Sequence, residues 1–540
     1  MSQRRSLYRK VSYMVAMAIL VFPLYWLSSP TVSGRNAPDG KGRPGGRLAQ
    51  LRTEYGLSQA NLGEIDPASE TIRLVTLGMR GVATNLLWEK ANHYKKVEDW
   101  TNLSVTLEQI AKLQPNFISV WRHQAWNLSY NVSVQFDDYR DRYYYVIRGI
   151  HFLKEGIKYN EDHPDLLSDL GWFIGNKLGR ADEHVQFRRL FKEDDDFHPD
   201  DRHREDRDNW LVAHEWYLLA EYAVRNKGKP LRRPNGRGKS ELLFYAQTPM
   251  TLMNHAEAMQ EDGLHGSVAG TKWKDAGREW YKYGNEDIPH STGMLFRLNE
   301  QERMLADAEK HQVALDALVP DLRDNIYQGR LLQLTPEKRQ ALDTPTNERT
   351  TEQIQLAAEA ESEIEVSHDD LVLRIASVAP EKHAEARRLV TAADKAELRS
   401  RYINNYRDIV NYLYWRTRAQ FEQTPEALVA HELVYEADRA LDEADIIVAQ
   451  KKYERALAHW RTVIDNFPRI KEDSVTGDNL MDIVKRYHRL LSELNESFPE
   501  DFPLWDLLEQ YDREGSFREE IESHRRAVGD EDSSGQGNPS

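Results

Sequence analysis

Apolar residues recur at helical spacing through the region that follows the first 66 residues. One run has the three-to-four-residue period of an amphipathic helix, and it comprises Leu74, Leu77, Val82, Ala91 and Tyr94. A second run of the same period follows a short turn and consists of Leu103, Leu107 and Ile110. Two such runs separated by a turn predict an antiparallel pair of helices that bury their apolar faces against each other.

The spacing of two residues indicates that this helix pair is a repeating unit. Tyr94 and Pro115 stand 21 residues apart, and the same phase continues at Trp121 and Ala125. This interval is typical of a two-helix repeat of about 34 residues. One such unit cannot bury its apolar face alone, so copies stack into a curved solenoid with a concave binding surface.

Partial copies of the unit follow along the chain. A second unit begins at Ile118 and carries an insert around residues 136–139. A third has the small residue Gly171 on its first helix, and we expect Phe187 on its second helix. The small position is needed because two helices that cross closely leave no room for a larger side chain.

A further copy is predicted near the C-terminus. Ala456, Trp460 and Pro468 match the pattern of a second helix, and Ala444 takes the small position of the helix before it. Between these blocks, residues 293–436 show helical periodicity broken by prolines, which predicts an almost wholly helical region.

These positions resemble the tetratricopeptide repeat (TPR) family, whose pattern includes a small residue, an aromatic residue and a closing proline. In the first unit these are Ala91, Tyr94 and Pro115, whereas Leu103 and Ile110 stand where the family has alanines. The order of segments along the chain, with one apolar N-terminal segment, a repeat block and a helical tail, also resembles uncharacterised bacterial membrane-anchored repeat proteins. Some of these proteins are labelled "iron responsive element". No residue pattern here supports iron binding.

The resemblance implies an all-α, TPR-like helix-pair solenoid with an irregular helical middle region. It implies that the first helix of each pair, helix A, lines the concave surface, and that this surface binds a protein or peptide. The contact residues that follow from this reading are Asn85, Lys90, His93, Arg122, Asn127 and Asp169. We expect no catalytic residue and no cofactor.

Composition narrows the functional classes further. The 540-residue chain has a net charge of −16, which argues against sequence-independent nucleic-acid binding because that needs a basic surface. Cysteine is absent, so disulfides, thiolate metal sites and a cysteine nucleophile are excluded.

The N-terminal residues predict one transmembrane helix before the solenoid. Residues 1–10 are basic, and the 17 residues from Val11 to Leu27 carry no charge. A helix of that length covers about 26 Å at ~1.5 Å per residue, the lower end of what spans a bilayer. The basic flank favours a cytoplasmic N-terminus with the bulk of the chain outside. The alternative is a secreted chain after signal-peptide cleavage near Val32 and Gly34.

The pattern along the chain predicts eight segments. They are a basic N-terminus (1–10), a transmembrane anchor (11–29), a flexible linker (30–66), TPR-like repeats (67–200), an irregular helical insert (201–292), a long helical region (293–436), C-terminal TPR-like repeats (437–505) and a helix end with a disordered tail (506–540). A scaffold is the main functional hypothesis, and a spacer that self-associates through the long helices is one alternative.

A second alternative is a metal-dependent activity in the acidic, histidine-containing segment 194–203. Its candidate ligands are Asp195, His198, Asp200 and His203, which combine the oxygen and imidazole donors that divalent cations take. Their spacing fits neither a calcium loop nor a helical histidine pair, so a solvated charge run is the competing interpretation. The Gly238-Lys239-Ser240 triplet resembles the end of a phosphate-binding loop, but Arg233 replaces the glycine that the motif requires.

Overall fold

The computed structural model describes residues 80–231, 240–289 and 293–534, together with Arg47 and Gln50. Within these residues the protein is all-α, as predicted, apart from one hairpin of two-residue strands. The chain forms two compact units, Met1–Ser240 and Glu241–Ser540.

The described part of the first unit contains seven α-helices. They are α1 (Arg80–Lys96), α2 (Trp100–Leu113), α3 (Ile118–Trp126), α4 (Tyr139–Tyr159), α5 (Pro164–Trp172), α6 (His184–Glu193) and α7 (Asn209–Arg225). Their buried apolar side chains form one continuous core that runs from Ala91 to Tyr217.

The second unit is longer and its described part includes the hairpin. Its helices and strands are α8 (Glu241–Glu261), α9 (Gly266–Gly284), β1 (Ile288–Pro289), β2 (Leu295–Phe296), α10 (Gln301–Asp316), α11 (Leu322–Gln333), α12 (Pro336–Asp343), α13 (Thr351–Ile364), α14 (His368–Val378), α15 (His383–Ile409), α16 (Tyr412–Glu422), α17 (Pro425–Asp442), α18 (Ile446–Asn466), α19 (Ser474–Leu494), α20 (Trp505–Tyr511) and α21 (Arg518–Ser534). The strands pair antiparallel, with Ile288 opposite Phe296.

Small residues set the crossing of α3 and α4. A Cβ added to Gly156 would lie 2.7 Å from the indole of Trp121, and one added to Gly149 would lie 2.8 Å from the carbonyl oxygen of Ala125. The buried Trp121 donates its indole N–H to the carbonyl oxygen of Pro115 at 2.7 Å. This bond ties the second helix pair to the end of the first.

The helix that packs against α5 is not the one that carries Phe187, contrary to the prediction. The helix that crosses α5 at Gly171 is α7, because a Cβ on Gly171 would lie 3.1 Å from both the carbonyl oxygen of Ala213 and the ring of Tyr217. Phe187 belongs to α6 and is buried in the same core. The physical reason is that α6 contains no glycine, alanine or serine, whereas α7 offers Ala213 at the crossing.

The insert predicted around residues 136–139 is an extension of the helix that begins with α3. After α3 the chain continues through a π-helical turn (Asn127–Val132) and a 3-10 turn (Ser133–Gln135). Helix α4 then begins behind Asp138, whose side chain accepts the backbone N–H of Arg140 at 2.7 Å.

Alanines dominate the closely packed pair α17 and α18. Ala430, Ala437, Ala449 and Ala456 are all fully buried. The prediction for Ala444 is wrong, because that residue lies in the turn between the helices with a φ of 61°. Helix α17 ends at Asp442, and the backbone N–H of Asp445 closes the turn on the carbonyl of Ala440 at 2.8 Å.

Prolines mark helix starts in the second unit as predicted. Pro336 opens α12 behind Thr335, whose hydroxyl accepts the backbone N–H of Lys338 at 3.4 Å. Within the described residues no helix is long and apolar enough to cross a membrane. The predicted anchor, 11–29, and nearly all of the linker, 30–66, lie outside the part of the chain that the structure describes.

Candidate functional site

Helices α3 and α5 share the same local break in their hydrogen-bond pattern. Both α3 and α5 run for 9 residues, end at a tryptophan, and continue into a π-helical turn, Asn127–Val132 in one and Phe173–Lys177 in the other. Short π-helical segments of this kind occur frequently at functional sites. The equivalent position of the two breaks therefore draws attention to the side chains around them.

Buried polar groups accompany the first break. Asn127 is fully buried, and its side chain contacts Gln124 at 3.5 Å and accepts from the amide of Asn131 at 3.1 Å. The hydroxyl of Ser133 donates to the carbonyl oxygen of Ser129 at 2.6 Å. Such side chains supply hydrogen bonds where a wider turn disturbs the regular backbone pattern.

The two breaks bring three rings together, Trp126, Tyr130 and Trp172, which we call the aromatic cluster. Trp126 stacks on Tyr130 with ring centroids 4.0 Å apart, and Trp172 lies 5.8 Å from Trp126 and 5.9 Å from Tyr130. The angles between ring planes are 14°, 18° and 28°, so the three rings are nearly parallel. Trp126 remains 45% exposed. The cluster is thus a stacked aromatic surface across the joint between two helix pairs.

Charged groups border the aromatic cluster. The ammonium group of Lys177 lies 4.4 Å from the ring centroid of Tyr130, a cation–π contact. Arg122, one turn before Trp126, forms an ion pair with Asp169, which lies three residues before Trp172. Burial lowers the pKa of Lys177 and raises the pKa of Tyr130 to about 12. At neutral pH the hydroxyl of Tyr130 is therefore uncharged.

The predicted contact residues fall into two groups. Arg122 and Asp169 lie together beside the aromatic cluster, and Asn85, Lys90 and His93 are exposed on α1. We use the name helix-A face for the side chains that α1, α3 and α5, the predicted first helices, expose to solvent.

One predicted contact does not reach this surface. Asn127 is 0% exposed, so its amide supports the π-helical turn from within and offers no atom to a partner. Sequence reasoning also missed Tyr130 and Lys177. The signal for Tyr130 was its position one helical turn after Trp126, but a regular helix does not place Lys177 beside it.

The tryptophans of the chain differ in burial. Trp121, Trp273 and Trp280 are fully buried and act as packing anchors. Among the described tryptophans, Trp126 alone is largely exposed, at 45%.

The four weak metal candidates do not converge. The ring of His198 is buried, with Nε2 2.8 Å from the carbonyl oxygen of Phe191, and burial lowers its pKa. Asp195 pairs with Arg207, while Asp200 and His203 are exposed. Across the described residues, no group of three or more His, Asp or Glu side chains is arranged to hold a metal ion. Gly238 and Lys239 of the loop-like triplet lie outside the described residues.

Comparison with known proteins gives no family for this chain: no protein-family model matches it, and no curated protein is significantly similar to it.

Proposed function

We propose that this chain is a noncatalytic scaffold, tethered to a membrane, that binds a protein or peptide on the helix-A face of TPR-like repeats. The single observation that carries the proposal is the aromatic cluster, in which Trp126 is 45% exposed and stacks with the half-buried rings of Tyr130 and Trp172. Large aromatic side chains that remain exposed beside paired charges are typical of protein-binding surfaces.

We propose that both units contain TPR-like helix pairs. In the first unit, α1 with α2, α3 with α4 and α5 with α7 would be three TPR-like pairs. In the second unit, α17 with α18, followed by α19, would form the C-terminal repeats, which would then begin at Pro425 instead of the predicted residue 437. Close crossings at Gly149, Gly156 and Gly171 support this reading, because the family places small residues at such crossings.

The proposed tether is the segment 11–29, with a cytoplasmic N-terminus and the folded units on the other side of the membrane. Deletion of residues 11–29 should release the chain from membranes that retain the full-length chain after an alkaline wash. Equal retention of both forms would contradict the tether, and a shortened mature N-terminus would favour the secreted alternative.

Site-specific photocrosslinking in native membranes tests the binding surface. A photoreactive amino acid at Lys90 or Trp126 of the full chain should yield crosslinked partners. The same group at Tyr144 of α4, which is 59% exposed but lies on the second helix of its pair, is the matched control. Equal crosslinking at Tyr144, or none at Lys90 and Trp126, would contradict the proposal.

A further inference from the structure

A cavity of about 590 Å³ lies in the second unit, where the β1–β2 hairpin meets α10 and α15. This volume falls within the range of small-molecule sites. The lining consists of four basic, two acidic and two apolar side chains. The basic residues are Arg297, Arg303, Lys395 and Arg399, and the acidic residues are Asp287 and Glu300. Four positive and two negative charges give the lining a formal charge of +2, whereas the whole chain has −16.

The hairpin contributes one closed ion pair. Asp287 precedes β1 and Arg297 follows β2, and the antiparallel pairing of the strands brings the two side chains together. The guanidinium group of Arg297 bonds both carboxylate oxygens of Asp287, at 2.7 and 3.3 Å. In such a bidentate pair the two charges compensate each other, so the hairpin adds no net charge to the cavity.

Glu300 is shared between two arginines. It is the residue before α10, and its carboxylate accepts from Arg303 at 3.2 Å and from Arg399 of α15 at 3.0 Å. One carboxylate thus serves two guanidinium groups, which leaves one positive charge uncompensated. Glu300 makes no side-chain capping bond at the start of α10, where the helix dipole favours an anion. Asp307, one turn beyond Arg303, is not among the residues that line the cavity.

Lys395 supplies the second uncompensated charge. It stands four residues before Arg399 on α15, so the two side chains share one face of that helix. Lys395 is exposed and makes no ion pair or hydrogen bond with the part of the chain that the structure describes. The adjacent carboxylates of Asp394 and Glu397 line a different cavity, and Asp394 lies 2.9 Å from the ring of His368.

Arg399 is held in a fixed position within this lining. Its Nη2 group donates to the carbonyl oxygen of Leu295 at 2.8 Å and to Glu300 at 3.0 Å. Its guanidinium carbon lies 5.3 Å from the ring centroid of Phe296, which is fully buried. Both bonds leave from Nη2, so the guanidinium group retains donors for a ligand. A guanidinium group that is already positioned also loses little side-chain freedom on binding.

We propose that this cavity binds a phosphate monoester in its dianionic form. The two uncompensated positive charges match a group that carries about two negative charges near neutral pH, as a phosphate monoester does. Arginine is also suited to this group, because its planar guanidinium bonds two phosphate oxygens at once. A carboxylate or a sulfonate has one negative charge and would leave the second cation unpaired.

The apolar side chains of the lining favour an ester over the free phosphate ion. Met294 and Leu295 belong to the hairpin side of the cavity, and Leu295 is 48% exposed. An apolar group attached to the phosphate would cover part of this surface and gain the free energy of removing it from water. The site lies in the second unit and does not depend on the proposed protein-binding surface of the first.

Isothermal titration calorimetry of the full chain in detergent micelles tests the site, with phenyl phosphate as the probe. At about pH 7.5, above its second pKa, we expect saturable binding of about one phenyl phosphate per chain. Benzenesulfonate has a similar shape but one negative charge, and it should bind about tenfold more weakly. Inorganic phosphate should also bind more weakly than phenyl phosphate, because it offers no apolar group to Met294 and Leu295.

Two charge variants connect the binding to the cavity. Lys395→Glu should weaken phenyl phosphate binding on the order of tenfold or more, because an anion replaces the unpaired cation. Arg303→Gln, at a side chain that is 66% exposed, should also weaken it. Lys310→Glu is the matched control: Lys310 is exposed on α10 and does not line the cavity, so the affinity should change by less than about twofold. Unchanged far-UV circular dichroism shows that the variants remain folded.

Four outcomes would overturn the inference. They are the absence of saturable phenyl phosphate binding, equal affinity for benzenesulfonate, unchanged affinity in folded Lys395→Glu, and an equal loss in Lys310→Glu. Equal affinity for inorganic phosphate and phenyl phosphate would overturn the assignment to an ester, because the apolar lining would then make no contribution.

Discussion

At the residue scale, glycine determines how closely α3 and α4 approach. A Cβ at Gly156 would contact the indole of Trp121 well inside van der Waals distance, whereas a Cβ at Gly329 of α11 would meet no atom within 4 Å. Both positions are helical glycines, but Gly156 is tightly packed and Gly329 faces open space.

We expect Gly156→Ala to destabilise the first unit by about 1–3 kcal/mol, because a filled crossing must shift Trp121 or the α4 backbone. Gly329→Ala is the matched control and should stabilise α11 by up to about 1 kcal/mol, since alanine is the better helix former. Urea unfolding followed by far-UV circular dichroism measures both changes. Equal effects of the two substitutions would show that the crossing is not tightly packed.

A buried ionic network in the second unit links three helices. Glu422 of α16 lies 2.7 Å from the ring Nε2 of His431 on α17, and Arg418 bonds Glu257 of α8 at 2.6 Å and approaches Glu422 at 3.5 Å. Burial alone would raise the pKa of Glu422, but the charges and hydrogen bonds of His431 and Arg418 outweigh burial and leave that pKa below 4.5. Glu422 is therefore charged in the folded state at neutral pH.

We expect Glu422→Gln to lower the free energy of unfolding at neutral pH by about 1–3 kcal/mol, because a buried charged hydrogen bond is lost. A carboxylate whose pKa is lowered by folding stabilises the fold above its unfolded pKa, and this contribution disappears as the pH falls through its folded pKa. The difference between wild type and variant should thus shrink as the pH falls below about 4.5.

The exposed pair of Arg439 and Glu443 supplies the control for this experiment. Both side chains are more than 60% exposed, so Glu443→Gln should change the free energy of unfolding by less than about 0.5 kcal/mol at any of these pH values. A difference for Glu422→Gln that persisted unchanged at low pH would contradict the assigned pKa direction.

At the scale of elements, helix ends are fixed by short local signals. Ser367 and Asp370 form a capping box at the start of α14, in which the Ser367 hydroxyl accepts the Asp370 N–H at 3.2 Å and Asp370 accepts the Ser367 N–H at 3.1 Å. Asp370 also pairs with Arg330 of α11 at 2.8 Å. This helix end therefore serves both its own helix and the contact between two helices.

We expect Ser367→Ala to destabilise the second unit by about 1 kcal/mol, the usual cost of removing a helix cap. Ser377→Ala, in the same helix, is the control, because Ser377 lies near the helix end and its hydroxyl bonds only the carbonyl of Arg374. The midpoint of urea unfolding should move for Ser367→Ala alone. A shift of similar size for Ser377→Ala would attribute the effect to helix composition instead of capping.

Helices proved easier to predict than their local irregularities. Apolar periodicity predicted α1 and α2, and the repeat phase predicted α3 and α5. The π-helical turns could not be predicted, because a shifted hydrogen-bond register depends on tertiary contacts such as the buried Asn127. For the same reason the aromatic cluster could not be predicted, because the contact between Tyr130 and Lys177 depends on both π-helical turns.

At the scale of the molecule, the chain has two units with separate hydrophobic cores. The core of the first unit consists of residues from Ala91 to Tyr217, and the largest core cluster described in the second unit consists of residues from Phe421 to Phe517. A unit that buries its own apolar side chains can fold alone.

We therefore expect residues 241–528, expressed without the first unit, to unfold in a cooperative transition on heating. Calorimetry and near-UV circular dichroism, which reports fixed packing around Trp273 and Trp280, measure this directly. A fragment with helical content but no cooperative transition would show that the second unit depends on the first.

The position of the aromatic cluster has a mechanical consequence. In stacked repeats each unit contacts only its neighbours, so a solenoid yields most readily along its axis, where successive units separate. Trp126 ends α3 and Trp172 ends α5, so their stacking holds only while these two helices stay close. If the proposed tether and a bound partner pulled the chain from opposite ends, the load would separate Trp126 from Trp172 and weaken the proposed binding surface.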